Sequence, residues 1–358
     1  SSSLAFALQE VFGLKTFREG QQEIIEYVLC GKDAFVVQPT GSGKSLLYQL
    51  PAVCTPGVCL VISPLLALIQ DQVMSLLQRR CGGVPAAFLT STLTNDQMNA
   101  IYSDLESPAP SCKILYLTPE KLDLSGRMKD VIRALYNRGL LSRIVFDECH
   151  CVVQWGHDFR KSYLTAGTHL RALCPTVPKM ALTATATPTL RTEVQRLLHM
   201  DGCRVFQQSF NRPNLTYRVL PKPRNKHEAM DVLCAFIKER FDGQTGIVYC
   251  LSREDTELAA EALHTAGLSA DYYHAGMTSA QREDVQVLWQ QNHVKVICAT
   301  VAYGMGIDHP NVRFVIHHSL AKSMESYYQE SGRAGRDGEP AQCVVFYQVG
   351  DAGRMRRL

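Results

Sequence analysis

Residues 34–52, "AFVVQPTGSGKSLLYQLPA", set a short apolar run against a glycine-rich stretch and then a segment with helical spacing. A buried strand, a turn dense in glycine and a helix, in that order, commit a chain to α/β architecture, because the unit closes only against further parallel strands. More such runs follow in "VCLVISP", "KILYLTP", "RIVFDE" and "KMALTAT". Continuous apolar runs suit strands buried on both faces, as in a parallel sheet covered by helices. Each run ends in a small, polar or acidic residue. Open α/β sheets bind ligands at the carboxyl ends of their strands, so Thr40, Ser63, Thr118, Asp147 and Thr183 are expected along one rim.

A chain of 358 residues is long for one hydrophobic core, and two domains are expected. After residue 206, "QQSFNRPNLTYRVLPKPRNKHEA" holds three prolines and several basic residues around one weak strand, which reads as a linker and the first strand of a second lobe. The rhythm restarts in "GIVYCLS", "ADYYHAG", "VKVICAT", "RFVIHH" and "CVVFYQ". The expected lobes are 1–206 and 207–358. The second has no glycine-rich loop ending in Gly-Lys-Ser, so one nucleotide site shared by two lobes is the economical reading.

Composition excludes more than it selects. Charged residues make up 20% and apolar ones 46%, which is ordinary for a globular chain and argues against disorder. A net charge of +3 names no partner, because a basic groove can be local. The 13 cysteines are scattered through apolar runs without a CxxC pair, the pattern of buried thiols in a reducing compartment. No apolar run approaches the roughly 20 residues of a membrane helix, and the start "SSSLAFALQEVFG" lacks the basic and apolar regions of a leader. An intracellular protein is expected, and the abrupt ends suggest a piece of something longer.

The chemistry concentrates in three places. Backbone N–H groups of Gly41, Ser42, Gly43, Lys44 and Ser45, preceded by Thr40, can cradle phosphate at a helix N-terminus, with Lys44 reaching the β and γ phosphates and Ser45 on Mg²⁺. Gln38 stands where the usual loop has its first glycine. Asp147 follows the strand "RIVF" as a Walker-B acid that holds Mg²⁺ through water, and Glu148 beside it can deprotonate the attacking water. In "YYQESGRAGRDG", Arg333 and Arg336 are three residues apart and would share a face if helical. Their forked guanidinium groups suit phosphate oxygens.

In order, "FREGQQ", "TGSGKS", "SPLLALIQDQ", "DECH", "QWGHDFR", "ALTATAT", "FNRPNL", "YCLSR", "HAGM", "ATVAYGMGID" and "YYQESGRAGRDG" resemble the RecQ family of superfamily 2 DNA helicases across nearly the whole chain. "FNRPNLTYRVLPK" and "GIVYCLSR" look most like its Bloom-syndrome-type branch. The resemblance implies an α/β fold of two RecA-like lobes, each a mostly parallel sheet flanked by helices, with one ATP site in the cleft. It implies ATP and Mg²⁺ as cofactors and 3′ to 5′ movement on single-stranded and partially duplex DNA, in repair, recombination and replication. A nuclear location would follow in a eukaryote. Repair-protein partners would bind through flanking regions, and no zinc is expected within these residues.

By the same resemblance Arg18 stacks on adenine, Gln21 hydrogen-bonds its edge, Asp308 approaches the ribose and Gln329 helps sense the γ-phosphate. Thr183 and Thr185, with His150 and His157, couple hydrolysis to the strand-binding groove. DNA contacts fall to Ser63, Trp155, Arg160, Asn211, Arg212, Ser252, Arg253, His274 and Thr300. Cys149 replaces the usual alanine of the acidic box and Val153 a common serine. Family members usually continue into a zinc-binding segment and a winged-helix domain, so these residues alone are expected to hydrolyse ATP on DNA but to unwind duplex weakly.

Three other readings compete with this one. Cys149, His150, Cys151 and His157 form a cysteine and histidine cluster, but structural zinc favours spacings such as C-x₂₋₄-C, and neighbours in an extended stretch face opposite ways. An RNA helicase of similar build, or a nucleic-acid-binding module with a vestigial ATPase, would share many of these motifs. "QWGHDFR" argues against the first, and the presence of Lys44, Asp147, Glu148, Arg333 and Arg336 argues against the second.

Overall fold

The computed structural model describes residues 2–39, 42–64, 66–90, 93–154, 157–184, 187–209, 211–300, 309 and 311–355. The chain divides into two compact units between residues 210 and 211. That is a few residues beyond the boundary expected from sequence. The reason is a short strand, Arg204–Gln207, whose register with Ala34–Val37 is extended by Gln208 N–H donating to Val37 O at 3.1 Å.

In the first unit the strands are β1 Ala34–Val37, β2 Val58–Ile62, β3 Ala86–Leu89, β4 Ile114–Leu117, β5 Leu141–Phe146, β6 Lys179–Thr183 and β7 Arg204–Gln207. They form a parallel sheet in the order β3-β4-β2-β5-β6-β1-β7. Alternate residues of β1 serve opposite faces: Phe35 and Val37 join one buried cluster, Ala34 and Val36 the other. The apolar run is continuous because both faces are covered. β3 and β7 were not anticipated; both are edge strands, and β7 is largely exposed.

The second unit is a parallel sheet in the order β10-β11-β9-β12-β13-β8, from β8 Leu215–Pro221, β9 Gly246–Cys250, β10 Ala270–Tyr273, β11 Val296–Thr300, β12 Phe314–His317 and β13 Ala341–Tyr347. Two buried clusters again flank it. β8 is the weak strand expected after the linker. Its middle is exposed because it lies at the sheet edge.

Candidate active site

Strand order puts three chain segments together. β6 lies between β5 and β1, with Val37 paired to Thr183 and Phe146 to Ala181. The phosphate-type loop after β1, the threonine end of β6 and the acidic end of β5 therefore share one rim. Thr40 and Gly41 lie outside the described residues.

The described part of the loop is fixed from within and from outside. Lys44 Nζ donates to the carbonyls of Gln38 and Pro39, both at 3.1 Å, and Ser42 Oγ donates to Gln38 Oε1 at 3.3 Å. Gln38, the departure from the usual glycine, is thereby a strut, fully buried. Outside the loop, Gln21 is buried and its Nε2 donates to Ser42 O at 3.2 Å and Gly43 O at 3.3 Å. Its Oε1 accepts from Arg18 N–H at 2.9 Å. Gly43 has φ +86°, and a Cβ there would lie 2.7 Å from Gln21 Nε2, so glycine is required on both counts. Ser45 precedes the helix Leu46–Cys54 and stands at its N-terminus.

Asp147 is buried at the tip of β5. Burial, and then the neighbouring Glu148 carboxylate, push its carboxyl up to about 7, against the opposing pull of Lys44 and of the Glu148 N–H. That N–H donates to Asp147 Oδ1 at 3.0 Å. Glu148 has φ +48°, a left-handed conformation uncommon outside glycine. His150 Nδ1 lies 2.9 Å from Thr183 Oγ1 and 3.3 Å from Glu148 Oε2. The hydrogen bond goes to Thr183, and Glu148 Oε2 is left buried without one. Burial lowers the His150 pKa more than Glu148 raises it, so the ring is neutral. Two adjacent acids, Asp147 buried and Glu148 half-buried with one unsatisfied oxygen, form a donor set that fits a hard divalent cation.

The segment 147–150 is a turn rather than an extended strand, so the alternation argued for Cys149 and His150 does not apply. Both cysteines instead enter one apolar cluster, with Cys151 Sγ 3.7 Å from His150 Nε2. Cys149, the replacement for alanine, is fully buried, and burial followed by the nearby carboxylate of Glu148 raises its thiol pKa well above the ordinary range. Trp155 and Thr185 lie outside the described residues. His157 and Arg160 fall on the helix His157–Leu173, which follows the short helix Cys151–Gln154, but their side chains lie outside the description.

Ser63 is buried, with its N–H on Leu117 O at 3.0 Å. Thr118 is used as a cap, its hydroxyl accepting from Lys121 N–H at 3.2 Å. In the second unit, Arg333 and Arg336 do not share a helix. The helix Met324–Ser331, which carries Gln329, ends at Gly332, and both arginines lie in the turns that follow. Arg333 is buried and Arg336 half-buried.

Three of the expected DNA contacts have local structural duties. Arg212 donates to Gly332 O at 3.4 Å, Ala334 O at 3.0 Å and Gly335 O at 2.7 Å. Ser252 caps the helix Arg253–Thr265, accepting from Asp255 N–H at 3.1 Å, and Arg253 is the exposed first residue of that helix. His274 Nδ1 accepts from Gly276 N–H at 3.1 Å, so Nε2 carries the proton toward Glu257 Oε1 at 2.9 Å. Asn211 is exposed and Thr300 ends β11 half-buried. Asp308 lies outside the described residues.

Sequence reasoning missed two pairs. Glu330 Oε2 meets His317 Nε2 at 2.7 Å in the interior, inside a motif already singled out for its arginines. Tyr163 donates to Asp147 O at 2.5 Å. A buried phenol needs a partner, but a single tyrosine in a helical pattern does not say which.

A DEAD/DEAH box helicase model matches residues 18–194, and a helicase conserved C-terminal domain model matches 228–338. The RecQ-like DNA helicase BLM of Xenopus laevis is 49% identical over 97% of this chain and 25% of its own length. ATP-dependent DNA helicase Q-like 2 of Arabidopsis thaliana is 48% identical over 97% of the chain and 49% of its own. ATP-dependent DNA helicase Q1 of Pongo abelii is 42% identical over 100% of the chain and 54% of its own. The chain thus spans from a quarter to about half the length of these relatives. Among solved structures, Mss116p bound to ssRNA and AMP-PNP gives a TM-score of 0.78 at 17% identity, covering 100% of this chain and 74% of that one. The Mycobacterium smegmatis helicase Lhr bound to ssDNA and AMP-PNP gives 0.71 at 21%, covering 94% and 46%. Both share the fold of tandem RecA-like units.

Proposed function

The chain belongs to the RecQ family of helicases, and from that premise we propose that it is the ATP-dependent motor of a 3′ to 5′ DNA helicase, hydrolysing ATP when single-stranded DNA is bound. The observation that carries this reading is the convergence of Lys44, Asp147, Glu148 and the His150–Thr183 pair at adjacent strand ends. Ser45 and Asp147 would hold Mg²⁺, Asp147 through water, and the cation would supply charge neutralisation at the phosphates. Glu148 receives the proton of the attacking water, and its unsatisfied Oε2 is the acceptor available for it. Lys44 binds the phosphates, Gln21 with Arg18 takes the adenine, and Asp308 takes the ribose. Gln329, Arg333 and Arg336 are assigned the charge that develops on the transferred phosphoryl group.

Single-stranded and partially duplex DNA is the proposed partner, held mostly through its phosphates, with repair proteins as partners of the longer chain. Among the described residues no helix is long and apolar enough to cross a membrane. A nuclear location in a eukaryote belongs to the proposal. The test is ATP turnover by the folded chain with and without single-stranded DNA, and with a matched RNA strand. Stimulation by DNA over RNA is the expected result; equal rates with and without nucleic acid would sink the coupling, and a preference for RNA would reassign the substrate.

A further inference from the structure

The hydroxyl of Tyr163 is fully buried and donates to the carbonyl oxygen of Asp147 at 2.5 Å, with Ile62 O at 3.3 Å as a second neighbour. Ile62 O also accepts the Asp147 N–H at 2.9 Å, so the phenol closes the ends of β2 and β5 together. The ring is held against Phe146, with centroids 6.4 Å apart.

The carbonyl that Tyr163 grips belongs to the peptide joining Asp147 to Glu148. Fixing that peptide plane fixes ψ of Asp147 and φ of Glu148, the torsion that stands at +48°. A left-handed glutamate relaxes unless its surroundings over-determine it. The carboxylate of Glu148 is aimed at His150, 3.3 Å away, only while this torsion is kept. We propose that Tyr163 is a positioning residue for Glu148, one that nothing in the acidic motif itself reveals. The proposal rests on the hydrolytic role given to Glu148 above.

The tie has a second end. Tyr163 lies on the helix His157–Leu173, whose first four residues are the end of "QWGHDFR", the stretch in which Trp155 and Arg160 are expected to contact DNA. A shift of that helix relative to β5 moves the phenol and rotates the peptide before Glu148. The helix is thus a mechanical route from the DNA-sensing segment to the hydrolytic acid, beside the direct chain connection through residues 151–156. Geometry of this kind acts on turnover rather than on binding, because the phenol is fully buried and presents no surface to a ligand.

The experiment is steady-state ATPase kinetics of Tyr163→Phe on single-stranded DNA, alone and in a Glu148→Asp background that keeps residual turnover. Tyr163→Phe is expected to lower kcat by roughly tenfold to a hundredfold, the scale of a misplaced catalytic group. KM for ATP and the Kd for single-stranded DNA stay within about twofold. In Glu148→Asp the same change is expected to cost little more, since residues that act as one unit are not additive. Tyr163→4-aminophenylalanine, which restores a donor in place, should recover kcat, whereas Tyr163→4-fluorophenylalanine fills the volume without one and should not. If packing alone matters, the two volume-matched replacements behave alike, and the inference fails. Wild-type turnover with an unaffected Tyr163→Phe removes this inference only; a wild-type chain that does not hydrolyse ATP on DNA removes the proposed function and this inference with it.

Discussion

Arg212 donates to the carbonyl oxygen of Gly335 at 2.7 Å, and so holds the turn that lies between Arg333 and Arg336. The same guanidinium reaches Ala334 O and Gly332 O, and Asn214 Nδ2 also donates to Gly335 O at 2.9 Å. A forked donor is needed for this, and Lys would replace it with one point charge. Arg212→Lys is expected to destabilise the second unit by about 2 kcal/mol and to lower DNA-stimulated kcat. A side chain lying on a phosphate would contribute about one unit to the salt slope of DNA binding. With Arg212 clamping the turn, the slope in Arg212→Gln, which removes the charge, should match wild type, which a salt titration of single-stranded DNA binding reads directly.

Gln21 makes a comparable tie in the first unit, through one amide to two loop carbonyls. Gln21→Ala removes the tie and is expected to weaken ATP binding roughly tenfold, two hydrogen bonds at about 1 kcal/mol each less partial replacement by water. Gln21→Glu should be worse, because a carboxylate oxygen would face the carbonyls of Ser42 and Gly43 where a donor stood. Titration with a fluorescent ATP analogue checks the order. Equal affinities for the two variants would show that the Nε2 donor does not hold the loop.

The second unit carries a pH dependence of its own. His318 is buried beside Lys222, Asp255 and Asp351, and burial, then Lys222, push its pKa down to about 4. The unfolded chain protonates His318 from about pH 6.5 downward while the folded unit does so only near 4. The unfolded state therefore binds more protons in that window, and stability falls as pH falls through it. The full loss is about 3 kcal/mol, complete by the folded pKa, and none of it appears above neutral pH. Trp289, fully buried in this unit, reports the transition in a Trp155→Phe background, as Trp155 is the other of the chain's 2 tryptophans. Urea midpoints at pH 7 and pH 4.5 should differ by less in His318→Asn; an unchanged difference would assign the effect elsewhere.

The legible part of the molecule was the part governed by periodicity and by motif. Continuous apolar runs found every interior strand, because burial on both faces leaves a one-dimensional trace. β3 and β7 escaped because edge strands need no such run, and the domain boundary moved with β7. At the site, the placement of Lys44, Asp147 and Glu148 at neighbouring strand ends was legible from residue type and spacing. The parts that were not readable are contacts between distant positions: Gln21 against the loop, Arg212 against residues 332–335, and Tyr163 against Asp147. Arg212 was nominated as a DNA contact by resemblance, and its hydrogen bonds to the 332–335 carbonyls leave no mark in the sequence. The two arginines would have shared a face if helical and are found on turns, since the helix ends at Ser331 with Gly332 as its cap and Gly335 has positive φ between them.

Gly246 shows how tightly the second sheet is built around its aromatic side chains. It is the first residue of β9, an inner strand, and its register partner on β12 is Phe314. A Cβ on Gly246 would lie 2.1 Å from the Phe314 ring, and that ring cannot retreat because Phe241 stacks on it with centroids 4.5 Å apart. Gly246→Ala is therefore expected to cost about 3 kcal/mol, the upper part of the range for overpacking a core. The remedy tests the cause: Phe314→Leu in the same chain makes room for the new methyl group, so the double variant should be more stable than Gly246→Ala alone. Urea denaturation followed by Trp289 fluorescence measures both. Additive losses in the double variant would mean that the methyl group strains the β9 backbone rather than the aromatic stack.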